Sequence, residues 1–153
     1  MLRLSREADY GTLALVYIAS RSAGSLAFRR DIAAHYNIPS EFLAKVLQKL
    51  SRRGLVRSFR GIQGGYALAR SPDLITLVDV VEAVDGPLAL VDCQCPDPSC
   101  RQEPACTMKS AMSEVQEQIH RVLSGVTLSD LMLRLPGRPV AAAARRGWEA
   151  VRR

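Results

Sequence analysis

The stretch between residues 28 and 54 limits the possible folds most, because it contains two short helices separated by a turn. One helix is predicted over about residues 28–36, and the turn Asn37-Ile-Pro39-Ser40 follows it. Ser40 is a suitable cap for a second helix over about residues 41–53, which Gly54 ends. The apolar residues of this second helix recur at the i, i+3, i+4, i+7 spacing of a buried face, and they are Leu43, Val46, Leu47 and Leu50.

A β-hairpin is predicted directly after the second helix. Two short runs over about residues 55–60 and 66–69 flank the loop Gly61-Ile-Gln-Gly64-Gly65, which is rich in glycine. Helix, turn, helix and glycine-tipped hairpin in this order define a winged helix-turn-helix. We therefore predict a mainly α fold with a small β-hairpin wing.

Other helices are predicted on both sides of this unit. Ser5 can cap a first helix that extends to about residue 20. Thr76 and Asp79 have the spacing of a capping box, and Thr127 and Asp130 open a last short helix. The residues expected to face the core from the helices after Ser5 and Thr76 are Leu13, Val16, Tyr17, Leu77, Val80, Val81 and Val84.

A long C-terminal helix carries a regular apolar stripe. Its members follow one another at steps of four, three, four and three residues, and they are Met108, Met112, Val115, Ile119 and Val122. The average step of 3.5 is the period of a coiled-coil seam. Such a stripe can cover the core of its own chain or a second subunit. We expect a homodimer, because helix-turn-helix proteins usually bind two half-sites as dimers.

Basic residues are concentrated in the first half of the chain. The formal charge is +6, but residues 1–70 alone carry twelve Lys and Arg against four Asp and Glu. No acid occurs between Glu41 and Asp73. A solvated surface normally mixes both signs, so this distribution favours a surface that binds a polyanion over one that is merely soluble.

The basic face of the second helix is predicted to read double-stranded DNA. Burial of its apolar residues turns Ala44, Lys45 and Gln48 outward, where the small Ala44 allows close approach to base edges. Lys49 and Arg52 suit phosphates, and Arg60 at the hairpin suits a narrow minor groove. The predicted DNA-binding residues are Ser40, Ala44, Lys45, Gln48, Lys49, Arg52, Arg60 and Gly64.

Four cysteines lie close together in the pattern C-x-C-x4-C-x5-C, and they are Cys93, Cys95, Cys100 and Cys106. Prolines at 96, 98 and 104 exclude a helix, so the thiols project from an irregular loop that can surround one centre. Thiolates are ligands for iron–sulfur clusters and zinc. The C-x2-C pairs typical of zinc sites are absent, which favours a cluster of two or four irons. Zinc and thiol oxidation remain alternatives.

Several motifs together resemble the IscR/NsrR-type winged-helix repressors. The matching segments are Leu2-Arg-Leu-Ser-Arg-Glu-Ala-Asp9-Tyr10-Gly11, Leu50-Ser-Arg-Arg-Gly54-Leu55-Val56, Arg60-Gly61-x-x-Gly64-Gly65-Tyr66, Asp79-Val-Val-Glu-Ala-Val84, the cysteine loop and Thr127-Leu-Ser-Asp130-Leu. The resemblance covers about residues 1–133. It is greatest to the subgroup that regulates iron–sulfur cluster assembly, with the nitric-oxide sensors close behind. It implies a dimeric repressor whose cluster occupancy or redox state changes its affinity for DNA.

The resemblance also implies a ligand set. Three cysteines of the loop hold the cluster in such proteins, and Cys100 and Cys106 match the second and third. The first is Cys93 or Cys95, with Cys93 preferred. A further ligand is sometimes an acid near the N-terminus of the partner subunit, and Asp9 stands at that position. An acid in the first turn of a helix also stabilises the helix dipole, which is the alternative role of Asp9.

One residue departs from the pattern of the resemblance. Where the IscR branch has a histidine after the last cysteine, this chain has Lys109, which is a poor cluster ligand. Ligation of the IscR type is therefore not expected.

The chain divides into four predicted parts. A winged helix-turn-helix domain spans 1–90, a cysteine-rich loop 91–107, a dimerisation helix with a short terminal helix 108–134, and a basic tail 135–153.

No P-loop, dinucleotide fingerprint or Ser/His/Asp set is present, so we expect neither an enzyme nor a small-molecule substrate. The longest apolar run is about seven residues, far short of a membrane span, and we expect a cytoplasmic protein.

Overall fold

The computed structural model describes residues 3–21, 25–61, 64–91, 94 and 106–133. Within them lie helices α1 (Arg6–Ser20), α2 (Arg29–Tyr36) and α3 (Ser40–Arg52), followed by strands β1 (Val56–Phe59) and β2 (Gly65–Leu68). After a 3₁₀ turn at Pro72–Leu74 come helices α4 (Leu77–Asp85), α5 (Lys109–Ser124) and α6 (Leu128–Leu133). The predicted fold is confirmed: it is mainly α, with a two-stranded antiparallel wing after α3 and a long helix near the C-terminal end.

The chain reverses between α2 and α3 at Asn37. This residue ends α2 in the left-handed region with φ 52°, which asparagine tolerates better than most side chains do. The N–H of Ile38 then donates to the carbonyl of Ala33 at 2.9 Å, so a carbonyl of the last turn of α2 is satisfied. The turn therefore fixes α2 against the start of α3.

The core forms where α1, α3 and α4 meet. The four apolar residues predicted for α3 are all 0% exposed, and each buried leucine contributes about 1.5–3 kcal/mol of transfer free energy. Gly11 of α1 lies at the closest approach, because a Cβ atom there would lie 3.4 Å from the Cγ1 atoms of Val46 and Val80. The missing side chain lets the three helices pack tightly, and this packing orients the outward face of α3.

The prediction that Ser40 caps α3 is wrong by one residue. Ser40 is the first residue of α3, and Pro39 occupies the cap position without any side-chain hydrogen bond. A side chain caps a helix only from the residue before the first helical one. The hydroxyl of Ser40 is therefore free for another role at the exposed start of α3.

Two predictions of buried residues are also wrong. In α4, Val78 is buried and Leu77 is only partly so. The chain before α6 lies beside the start of α4, where the Leu77 N–H donates to the Val126 carbonyl at 2.9 Å. In α1, Leu13 stays partly exposed while Leu15 is 0% exposed. Helix α1 contacts α2, α3, α4, α6 and β2, so it is buried on more than one side and has no single apolar stripe.

An aromatic cluster joins α1 to α2. The ring of Tyr17 lies 5.2 Å from that of His35 and 6.2 Å from that of Tyr36, measured between centroids. Burial raises the pKa of Tyr36, and the neighbouring Tyr17 raises it further. The Tyr36 hydroxyl is therefore uncharged at neutral pH, as expected for a packing residue.

In the described part of the chain, no helix is both long and apolar enough to cross a bilayer.

Candidate DNA-binding surface and cysteine segment

The outward face of α3 and the wing border an open groove of about 540 Å³. Four of the predicted DNA-binding residues line it from α3, and they are Ala44, Lys45, Gln48 and Arg52. Ser58 and Tyr66 of the wing form the opposite wall. An exposed helix beside a β-hairpin is the arrangement that winged helices insert into the major groove of DNA.

The groove carries a positive charge that the described part of the chain does not neutralise. Arg29, Lys45 and Arg52 line it together with a single acid, Glu41. None of the three cations forms an ion pair with another described residue. Arg29 was not predicted from the sequence, although the Arg29-Arg30 pair at the start of α2 was a visible signal. Unpaired cations beside a recognition helix are suited to phosphate contacts.

The wing is held to the helical domain by a third extended segment. β1 pairs with β2 from Val56 opposite Leu68 to Phe59 opposite Gly65. Ala27, just before α2, adds a bridge to the outer side of β2: its N–H donates to the Tyr66 carbonyl and its carbonyl accepts from the Tyr66 N–H, both at 2.9 Å. The position of the wing relative to α2 and α3 is therefore fixed.

The tip of the wing requires glycine at residue 64. A Cβ atom on Gly64 would lie 2.3 Å from the carbonyl oxygen of Phe59, far inside van der Waals contact. The Gly64 N–H donates to the carbonyl of Gly61 at 2.9 Å and closes the turn. Arg60, at the end of β1, is exposed beside this tip. Gly64 thus acts through backbone geometry, whereas Arg60 offers a charge.

Lys49 does not line this groove, unlike Lys45 and Arg52. Its ammonium contacts the carboxylate of Glu7 on α1 and donates to the carbonyl of Val84 at the end of α4, at 2.8 Å from that oxygen. Both partners lie on the core-facing side of α3. The structure therefore separates Lys49 from Lys45 and Arg52, and its predicted phosphate contact does not fit this placement.

Asp9 lies in the first turn of α1 and is exposed. Its carboxylate makes no hydrogen bond or ion pair with any other described residue. The position is consistent with both of its predicted roles, which are stabilisation of the helix dipole and ligation of a metal centre.

Of the four cysteines, only Cys106 lies within the described residues. It is partly exposed and unpaired, three residues before α5 begins. The predictions for Cys93, Cys95 and Cys100 fall outside the described residues, as does the basic tail. Among the residues described, no group of three or more His, Cys, Asp or Glu side chains is placed to hold a metal ion.

Gln94, between two of the cysteines, and Gln116 of α5 accept from the same backbone donor. The Gln94 Oε1 accepts from the Leu90 N–H at 3.2 Å, and Oε1 of Gln116 on α5 lies 3.4 Å from the same donor. The Nε2 of Gln94 is buried and has no hydrogen-bond partner among the described residues. A buried donor without an acceptor costs about 1–3 kcal/mol, so this atom needs an acceptor from elsewhere.

Three of the five residues in the apolar stripe along α5 are exposed. The helix has no fully buried residue, and it contacts α4, where the His120 imidazole lies 3.9 Å from the Glu82 carboxylate. Met112 and Ile119 are partly buried. The three stripe residues that are spaced seven apart along the chain face outward: Met108 is 58% exposed, Val115 40% and Val122 52%.

This fold and this basic groove define a winged-helix regulator of transcription, and not an enzyme. The sequence matches the model of the Rrf2 family, described as iron-dependent transcriptional regulators, over residues 4–134. The chain therefore belongs to the Rrf2 family. Regulators of this family bind DNA and typically form dimers.

Solved structures with the same fold come from several bacteria. CymR, the global cysteine regulator of B. subtilis, is 26% identical with a TM-score of 0.69, and the match covers 86% of this chain and 97% of CymR. T. potens IscR is 28% identical with a TM-score of 0.67, covering 86% of each chain. A transcriptional regulator from Listeria innocua is 27% identical with a TM-score of 0.70, covering 87% of this chain and 88% of its own.

Proposed function

We propose that this protein is a dimeric cytoplasmic repressor whose affinity for its operator depends on an iron–sulfur cluster held by the cysteine segment. The observation that carries the proposal is the position of that segment in the chain. It connects α4, which packs against the recognition helix α3, to α5, which bears the uncovered apolar stripe. A change in the segment can therefore alter how two DNA-binding domains are held relative to each other.

Base recognition is assigned to the middle of α3. Gln48 and Lys45 face the groove without a side-chain partner among the described residues, and both can reach base edges in the major groove. Arg52, Arg29 and Arg60 suit phosphates, which orient the protein without reading the sequence. Ser40, at the exposed start of α3, adds a hydroxyl donor for a nearby phosphate.

A second copy of this chain is proposed to cover the stripe of α5. Met108, Val115 and Val122 repeat at the heptad interval, and their exposure leaves an apolar row that water solvates poorly. Two such helices bury the row against each other. The resulting dimer presents two α3 helices to two half-sites.

The donor set suits a sulfur-ligated cluster. Cys93, Cys100 and Cys106 are the proposed thiolate ligands, with Cys95 or Asp9 of the second subunit completing the set. The Nε2 of Gln94 has no acceptor among the described residues and can donate to a thiolate or sulfide of such a cluster. When bound, the cluster supplies a centre that gains or loses electrons and reacts with oxidants or nitric oxide.

A cluster-free repressor is the second candidate. The similarity to CymR, the global cysteine regulator of B. subtilis, favours it, because CymR does not bind a cluster. In this alternative the same thiols bind zinc or become oxidised, and the loop changes shape for that reason.

Anaerobic purification tests the two candidates. We expect a coloured protein with visible absorption and stoichiometric iron and sulfide, and we expect single Ala variants of Cys93, Cys100 and Cys106 to lose the colour. Ala variants of Cys95 and Asp9 then identify the remaining ligand. Loss of a ligand should make the visible absorption decay faster, whereas loss of a residue that is not a ligand should not. Ser110→Ala, an exposed change near Cys106, is the control and should keep the colour.

DNA binding of the loaded and iron-free protein completes the test. The operator is obtained by selecting bound fragments from a random duplex library, and the dissociation constant is measured for both forms. A difference of about 5- to 150-fold is the range of known allosteric couplings. A colourless protein containing zinc establishes the second candidate, and equal affinity of the two forms excludes cluster-dependent binding.

A further inference from the structure

One polar contact set joins the recognition helix to α1 and α4, two of the helices that pack on it. Lys49 of α3 contacts the carboxylate of Glu7 on α1, and its Nζ donates to the carbonyl of Val84 at 2.8 Å. The side chains are 40% and 30% exposed for Lys49 and Glu7, so solvent screens this ion pair only in part. We call Ser5, Glu7, Lys49, Val84 and Asp85 the helix-end contact.

The start of α1 closes the helix-end contact from the other side. The Ser5 hydroxyl accepts from the Ala8 N–H at 3.0 Å and donates to Oδ1 of Asp85 at 2.7 Å. Successive residues of the last turn of α4, Val84 and Asp85, are thus bound by α3 and α1 respectively.

The end of α4 depends on this outside contact. The last four carbonyls of a helix have no partner within it, and the Val84 carbonyl is one of them. The last turn of α4 contains no basic residue of its own, so Lys49 provides the positive charge that stabilises a helix C-terminus. Gly86 follows at φ 91° and leads the chain towards the cysteine segment.

We propose that Lys49 is a positioning residue that fixes the recognition helix to the end of α4 and makes no contact with DNA. Since α4 leads into the cysteine segment, this contact transmits the state of that segment to α3. The transmission rests on the proposed function, whereas the placement of Lys49 does not.

Salt dependence separates a positioning lysine from a phosphate contact. Each phosphate contact contributes about 0.9 to the slope of log K against log salt, so losing one lowers the slope by about one. We expect Lys49→Met to weaken operator binding with the wild-type slope. Lys45→Met, one helical turn earlier and exposed in the groove, should lower the slope. A lower slope for Lys49→Met overturns the proposal, as does unchanged affinity.

The direction in which Glu7→Gln changes operator affinity provides a second test. Removing an acid makes the protein more basic, and simple electrostatics predicts tighter binding to DNA. The helix-end contact predicts the opposite, because Lys49 loses its charged partner and α3 is held less firmly. Asp73→Asn, an exposed acid outside this contact, is the control for the charge change and should leave binding equal or tighter. Tighter binding by Glu7→Gln contradicts the proposal.

The effect of the cysteine segment on DNA binding is measured as the ratio of the operator dissociation constants of the iron-free and the cluster-loaded protein. We expect Lys49→Met to bring this ratio close to one and Lys49→Arg, which keeps both contacts, to restore it. A wild-type ratio retained by Lys49→Met refutes transmission. A wild-type protein whose own ratio is one refutes the proposed function instead, and the salt slopes still decide where Lys49 acts.

Discussion

Thr76 and Thr127 lie opposite each other in an isolated antiparallel bridge, and each begins a helix with the same capping box. The Thr76 and Thr127 hydroxyls accept from the N–H groups of Asp79 and Asp130 at 3.3 and 3.2 Å, and each carboxylate accepts from its threonine N–H at 2.9 Å. The Leu128 N–H donates to the Ile75 carbonyl at 2.8 Å. The starts of α4 and α6 are therefore fixed together, which closes the end of the described chain onto the DNA-binding domain.

Thr127→Ala removes one of these caps. We expect the free energy of unfolding to fall by about 1 kcal/mol, the usual cost of losing a threonine cap. Urea denaturation followed by circular dichroism measures the change. Thr127→Ser keeps the hydroxyl and should remain close to wild type; equal midpoints for the alanine variant and wild type contradict the assigned cap.

Gly64→Ala should weaken DNA binding more than folding. The added Cβ meets the Phe59 carbonyl oxygen at 2.3 Å, so the tip of the wing must rearrange while the helical core is untouched. We expect the dissociation constant for the operator to rise about tenfold, or about 1.4 kcal/mol. Gly125→Ala is the matched control, because Gly125 has φ −78° and a Cβ there meets nothing closer than 3.4 Å. Equal affinities for both variants mean that the wing tip does not touch DNA.

Gln48→Ala should weaken binding mainly to the operator, whereas Arg52→Ala should weaken binding to any duplex. Gln48 faces the groove with an amide that can pair with a base, so its loss should cost about 1–3 kcal/mol on the operator and little on random DNA. Arg52→Ala should weaken both by a similar factor, because phosphates carry no sequence information. Fluorescence anisotropy with operator and scrambled duplexes measures the four constants. A Gln48 variant that loses affinity equally on both duplexes does not read bases.

The recognition helix was predictable because its pattern is local. In α3 a single apolar stripe lies opposite a polar face, and the four residues predicted to be buried are all fully buried. Lys49 could not be placed in this way, since its partners Glu7 and Val84 lie 42 and 35 residues away in sequence. A basic residue at the edge of a helix face has the same local signal whether it meets DNA or a neighbouring helix.

The apolar stripe of α5 was predicted from the sequence, but which of its residues are covered by the same chain and which are exposed was not. Five residues share the heptad pattern, yet Met112 and Ile119 are partly covered while Val115 and Val122 are exposed. Periodicity identifies which residues are apolar and cannot tell which neighbour covers each of them. The position of α4 against α5 decides this division.

Val115→Lys tests the proposed dimer. Val115 is 40% exposed in the single chain, so a lysine there can reach solvent without disturbing the core. In a dimer it sits at the seam, where two ammonium groups meet and lose their hydration. We expect sedimentation equilibrium to change from twice the chain mass to once, with the helical circular dichroism signal retained. Loss of one half-site contact should also weaken operator binding.

Ser110→Lys introduces the same charge at an exposed position on the opposite side of α5 from Val115 and should remain dimeric. The comparison separates loss of the seam from a general effect of added charge. If Val115→Lys sediments as a dimer like Ser110→Lys, the stripe is not the subunit contact. Dimers formed by the control alone mean that the apolar row of α5 holds the two DNA-binding domains together.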